Sequence, residues 1–135
     1  MQLKPVLFAV AVAASLALCG AARAQSLSPM HSLGVTPSDV KGFRLTVGNP
    51  YRTAMTFVVV PMDPTFRVRA ADAQVNFPEI TLAPNGSRQV IVTFKIDPTR
   101  KERTIGVCVQ PRDLESTVLP RVCGTYTGRM AGAGG

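Results

Sequence analysis

The stretch Leu82-Ala83-Pro84-Asn85-Gly86-Ser87-Arg88-Gln89-Val90-Ile91-Val92-Thr93-Phe94-Lys95-Ile96 decides the fold class. Pro84 presets its own φ, and Asn85-Gly86 can take the positive φ that a tight reversal needs. Val90, Val92, Phe94 and Ile96 then recur at every second position, with Gln89, Thr93 and Lys95 between them. A period of two marks a strand with one buried and one mostly solvated face. Its β-branched and aromatic residues suit a pleated surface. The apolar side of this strand has to be covered by other strands.

Those strands are legible on either side. Phe43, Leu45 and Val47 alternate with Arg44 and Thr46 until Gly48-Asn49-Pro50 stops the run. Met55 to Val60 is the next strand, and its Phe57-Val58-Val59-Val60 run is apolar on both faces, which suggests a central strand with neighbours on each side. Between Thr65 and Pro78 the pattern reads as two short strands or one strand with a bulge. Thr104 to Gln110 sets Ile105, Val107 and Val109 inward. Val118 to Thr127 forms the last strand, with Val122 and Tyr126 inward and Arg121, Cys123 and Thr125 outward. Gln25 to Ser32 is an extended lead-in or first edge strand, and Asp97 to Arg103 a charged loop. No helical period of useful length follows residue 24. The fold class is therefore all-β: a single immunoglobulin-like antiparallel β-sandwich of about seven strands after an N-terminal signal peptide.

The signal peptide, residues 1–24, rests on Lys4, the apolar run from Val6 to Leu18 and the small residues of Ala22-Arg23-Ala24. The apolar run is short for a bilayer span. Cys19 would carry a lipid anchor if the signal were of lipoprotein type, but the large Leu18 before it fits that cleavage poorly. The sandwich is expected over residues 25–129, and the glycine-rich end, residues 130–135, as a disordered tail. The formal net charge of +7 favours anionic surfaces, so membrane contact is expected only through a weak basic surface or an anchor at Cys19. There is no aromatic interleaving of the kind a nucleic-acid platform uses, so nucleic acid is not an expected partner.

Cys108 and Cys123 form an even pair in an exported chain, which reads as one disulfide. Both are out of phase with the apolar residues of their strands and lie symmetrically about a turn near Glu115-Ser116. They should face each other across a hairpin on the outer face of the sheet. Chemistry is harder to find. His31 lies near a chain end without a nucleophile motif, the carboxylates are dispersed, and no glycine loop cradles a phosphate. An enzyme and a bound cofactor are not expected. Binding through strand edges is.

Ser28-Pro29-Met30, the strand Phe43 to Asn49, the phrase Phe77-Pro78-Glu79-Ile80-Thr81-Leu82-Ala83-Pro84-Asn85-Gly86 and the Lys101-Glu102-Arg103 to Val109 segment occur in an order with a known parallel. It resembles the amino-terminal, immunoglobulin-like domain of periplasmic chaperones that assemble pili by the chaperone–usher route. The resemblance implies a periplasmic chaperone-like protein that holds a pilus or envelope subunit by edge-strand pairing, through an edge near Val118–Thr127. It also implies a basic pair that grips a partner's terminal carboxylate. His31 stands at the first-strand position of that pair and Arg121 is a candidate for the second. The last-strand row is Val118, Pro120, Val122, Gly124 and Tyr126. The alternative reading is a small secreted or envelope structural module without chaperone activity.

Overall fold

The computed structural model describes residues 26–113 and 121–132. The expected signal peptide, Cys19, the turn near Glu115-Ser116, Val118 and the last three residues lie outside them. In chain order the strands are β1 (Ser26–Ser28), β2 (His31–Thr36), β3 (Val40–Gly48), β4 (Met55–Met62), β5 (Ala73–Val75), β6 (Glu79–Leu82), β7 (Ser87–Lys95), β8 (Glu102–Pro111) and β9 (Val122–Met130). They form a four-stranded sheet in the order β1-β3-β7-β5 and a five-stranded sheet in the order β2-β9-β8-β4-β6. No helix occurs among the described residues.

The organising strand lies where its alternation puts it. Along the β3–β7 ladder Phe43 faces Val92 and Leu45 faces Val90, and all four are buried against the other sheet. That sheet contributes Phe57, Val59, Ile105, Val107, Val109 and Tyr126. The Phe43 ring lies 6.0 Å from that of Phe94 and 5.7 Å from that of Tyr126, so aromatic contact joins the two layers. In the turn before β7, the Gly86 N–H donates to the Ala83 carbonyl at 2.9 Å and Asn85 carries the positive φ of 58°. That is a type II arrangement with proline at its second position.

Asn49 ends β3 as a buried polar junction. Its amide nitrogen donates to the carbonyls of Thr53, Leu82 and Ala83 at 3.0, 3.2 and 3.1 Å, and its oxygen accepts the Tyr51 N–H at 3.0 Å. One side chain thus ties the end of β3 to the loop after it and to the β6–β7 turn.

The structure corrects several expectations. Among the described residues there are nine strands, and the sandwich is not wholly antiparallel: β2 runs parallel to β9, from His31 opposite Thr125 to Thr36 opposite Met130. The chain crosses from one sheet to the other at Pro29, so β2 enters the second sheet in the direction of β9. The last strand spans Val122–Met130, and Met130 packs partly buried against the core. Glu102 and Arg103 belong to β8 rather than to a loop.

Thr65 to Arg69 is not a strand either, although Met62 and Arg69 form an isolated bridge. The segment winds around Asp63, whose carboxylate accepts the Thr65 hydroxyl and the N–H groups of Arg67 and Val68, the latter two at 2.7 and 2.9 Å. These bonds, the Thr65 hydroxyl first, hold the Asp63 carboxyl well below the usual carboxylate range. Phe66 adopts φ 61° there, and its ring lies across Gly106; a Cβ on that glycine would come within 2.6 Å of it. Alternation of apolar and basic residues was a false strand signal.

Cys108 and Cys123 are bonded and directly opposite each other on β8 and β9, with Cα atoms 4.1 Å apart. The expected cross-strand staple is therefore present. It is not an open surface feature, because Cys108 is buried on the face where Phe66 covers Gly106.

Two stability outcomes follow from these junctions. Replacing both cysteines by alanine should lower the unfolding free energy by about 3 kcal/mol on the loop-entropy account, read from urea midpoints with unchanged far-ultraviolet dichroism. Asn49→Ala strands buried carbonyls and should cost about 1–3 kcal/mol in the same assay. A loss near zero would mean that water replaces the amide.

Candidate functional site

The resemblance-based expectation places a site where the first strand meets the last, and the chain brings those strands together. β2 is an end strand of the five-stranded sheet: one side pairs with β9 and the other has no strand beside it among the described residues. Its sequence, His31-Ser32-Leu33-Gly34-Val35-Thr36, contains no lysine, proline or acidic residue. Leu33 and Val35 face outward, 63% and 61% exposed, and Met30 just before them is 44% exposed. Natural edges are usually blunted by charge, proline or a bulge. This one presents backbone donors and acceptors beside two large aliphatic groups.

β9 does not offer the edge expected over Val118–Thr127. From Thr125 to Arg129 it is paired on both sides, by β8 and by β2. Only Val122, Cys123 and Gly124 precede the start of β2 pairing, and there the backbone of Met30 comes close: its carbonyl accepts the Thr125 N–H at 2.8 Å. A Cβ on Gly124 would lie 2.6 Å from that oxygen and 2.5 Å from the Tyr126 hydroxyl. Glycine at 124 is what permits the crossover to pass so closely.

Each anticipated partner-binding residue has a definite place. His31 is exposed, and its Nδ1 shares a 2.7 Å hydrogen bond with the Thr125 hydroxyl. Arg121 is exposed and donates to the Phe66 carbonyl at 2.9 Å. Since His31 is in register with Thr125, four residues after Arg121, an extended chain separates the two by roughly 13 Å along the strand. Each side chain is bonded to a different part of the chain, His31 to Thr125 and Arg121 to Phe66. Val122 is half-buried against the core, and Val118 lies outside the described residues.

Tyr126 must be reassigned. Its side chain is wholly buried, and its hydroxyl donates to the Pro29 carbonyl at 2.6 Å. It cannot touch a partner; it positions the crossover that delivers β2 to the site. Burial pushes its pKa up to about 12. The exposed Leu33 and Val35 were missed, because an alternation of only two apolar residues, just past the lead-in that ends at Ser32, gives little strand signal. Among the described residues no three His, Cys, Asp or Glu gather to hold a metal. Beyond the Thr36 end of β2 a cleft of about 720 Å³ opens between Asp39, Asp72, Asp97, Lys95 and Arg100, with both signs of charge interleaved.

No protein-family model matches the sequence, and no curated protein does. Solved structures do match. The Escherichia coli chaperone DraB superposes with a TM-score of 0.64 at 16% identity, covering 80% of this chain and 55% of that one. The complex of the Salmonella enterica SafA pilin with the SafB chaperone gives 0.65 at 16% identity, covering 84% and 58%. The fold is that of the amino-terminal domain of chaperone–usher pilus chaperones. The chain spans little more than half the length of those two proteins. A PapD-like domain of human CEP192 shares the architecture as well, with a TM-score of 0.57 at 16% identity, covering 78% of this chain and 84% of that one. The likeness therefore establishes a fold, and a fold hosts more than one role.

Tyr126 supplies a test of the crossover. A group whose folded pKa lies above its ordinary value of about 10 stabilises the fold below that value. The contribution is lost as pH rises towards 12. Tyr126→Phe should remove this alkaline step and, through loss of the Pro29 bond, about 1 kcal/mol of stability at neutral pH. Parallel urea titrations at pH 7 and above pH 10 read both; an unchanged alkaline slope in the variant would contradict the assignment.

Proposed function

We propose that this chain is a chaperone-like binding protein of the periplasm that holds a protein subunit by adding a strand of that partner to its own sheet. The observation that carries the reading is the unpaired edge of β2 with Leu33 and Val35 exposed beside it. Main-chain hydrogen bonds along such an edge supply affinity, and pockets for alternate side chains supply selectivity. Arg121, exposed just ahead of β9, supplies a cation for an acidic or terminal carboxylate of the partner. His31 flanks the start of β2 as a second polar contact.

The fold shared with DraB and SafB supports a pilus or other envelope subunit as the partner, since SafB is seen in complex with a pilin. The disulfide fits an oxidising, extracytoplasmic compartment. A shared fold with the CEP192 domain supports the second reading, an envelope or secreted module without chaperone activity.

One experiment separates the two. The tagged chain is purified from periplasm, and bound subunits are identified by mass spectrometry. The same is done for Leu33→Asp with Val35→Asp, which places charge on an already exposed edge and should leave the fold stable to within about 0.5 kcal/mol. A specific subunit that co-purifies with the native chain and falls at least tenfold with the variant supports strand addition, in line with the ~1.4 kcal/mol that a tenfold change represents. A chain that emerges alone under all salt and detergent conditions supports the structural module instead.

A further inference from the structure

One inward position of β3 holds a charge. Lys41 has the parity of Phe43, Leu45 and Val47, and it stands opposite the buried Phe94 in the β3–β7 ladder. Its side chain therefore runs between the sheets, half-buried. Two glycines give it room: Gly34 and Gly128 lie directly opposite each other on β2 and β9. A Cβ on Gly128 would meet Lys41 Cβ and Cγ at 2.9 Å, and one on Gly34 would meet Cε at 2.5 Å and Nζ at 3.1 Å. The lysine stem thus crosses from β9 to β2. Its ammonium ends under Gly34, beside the unpaired edge and 4.9 Å from the Phe43 ring centre.

That ammonium joins no ion pair among the described residues. Asp39, the acidic residue nearest to it in sequence, lines the cleft beyond the Thr36 end of β2, and Lys41 does not line that cleft. β2 itself contains no acidic residue. A strand added to β2 sends alternate side chains inward, and the one opposite Gly34 has its Cβ about 4.5–5.5 Å from that position. An apolar group there would cover the ammonium and leave it unpaired, which is costly. A carboxylate there meets it in a charge-assisted hydrogen bond.

On the strand-addition reading given above, we propose that Lys41 is a specificity-determining residue of the β2 edge. It selects a partner strand that carries an aspartate or glutamate at the inward position opposite Gly34. This carboxylate belongs to a side chain within the added strand, not to a chain end, and the lysine reaches it from the opposite sheet.

The probe is a dye-labelled peptide of serine, threonine, valine, X, valine, threonine and serine in that order, with both ends blocked so that neither is charged. Its valines flank X as Leu33 and Val35 flank Gly34. Binding to the full chain is read by fluorescence anisotropy with X as glutamate, glutamine or lysine. Glutamate should bind about tenfold tighter than glutamine, and lysine more weakly than either. Lys41→Met keeps the stem over both glycines and removes the charge, so the glutamate preference should vanish. Lys95→Met makes the same change at an exposed position and should leave the preference intact. Dichroism confirms that both variants fold.

Equal binding of the three peptides to the native chain, or a preference that survives Lys41→Met, overturns the proposal and leaves the β2 edge standing. Equal binding that rises for every peptide on Lys41→Met makes the lysine an edge-blunting charge and overturns it too. If no peptide binds, or if Leu33→Asp with Val35→Asp leaves binding unchanged, the β2 reading itself fails and the proposal with it.

Discussion

One contact determines which strand lies beside which: the Tyr126 hydroxyl on the Pro29 carbonyl at 2.6 Å, backed by the Thr125 N–H on the Met30 carbonyl at 2.8 Å. The chain leaves the four-stranded sheet after Ser28 and joins the five-stranded one at His31, and something must hold the passage. A buried phenol does it well, because its ring is core material against Phe43 while its one polar atom finds a partner. Gly124 gives the passage room. Once the passage is set, β2 must run alongside β9, and the free edge, the enclosed part of β9 and the exposure of Leu33 and Val35 all follow.

Much of this was legible as alternation. Val90, Val92 and Phe94, like Phe43, Leu45 and Val47, are buried because a strand between water and a core leaves them no other side. The cysteines were legible for the same reason, since opposite phase on neighbouring strands is a local geometric statement. What escaped was non-local. Phe66 and Val68 alternate with Arg67 and Arg69 as a strand would, yet the Asp63 carboxylate takes the Arg67 and Val68 N–H groups that a ladder would use. Nothing near Tyr126 in sequence distinguishes a residue that faces a partner from one that holds Pro29, 97 positions away. The site suffered most, since an edge is defined by the strand that is missing, and pairing partners are not written in a strand's own pattern.

The polar interior is sparse but complete. Asn49 satisfies three carbonyls and one N–H, as a buried amide must if it is not to destabilise its surroundings. Its position joins one end of the sandwich as Tyr126 joins the strand-switch region. Between them the core is aliphatic and aromatic, and the disulfide adds a covalent tie between β8 and β9 on the covered outer face. Ion pairs are confined to exposed positions, where they contribute little.

The parallel run of β2 along β9 has a mechanical consequence. Tension applied to the two chain ends would draw these strands lengthwise in opposite directions, loading the rungs from His31–Thr125 to Thr36–Met130 simultaneously rather than one after another. Such a zipper resists by shear, not by peeling. A domain arranged this way can be tugged from both termini before its ladder gives.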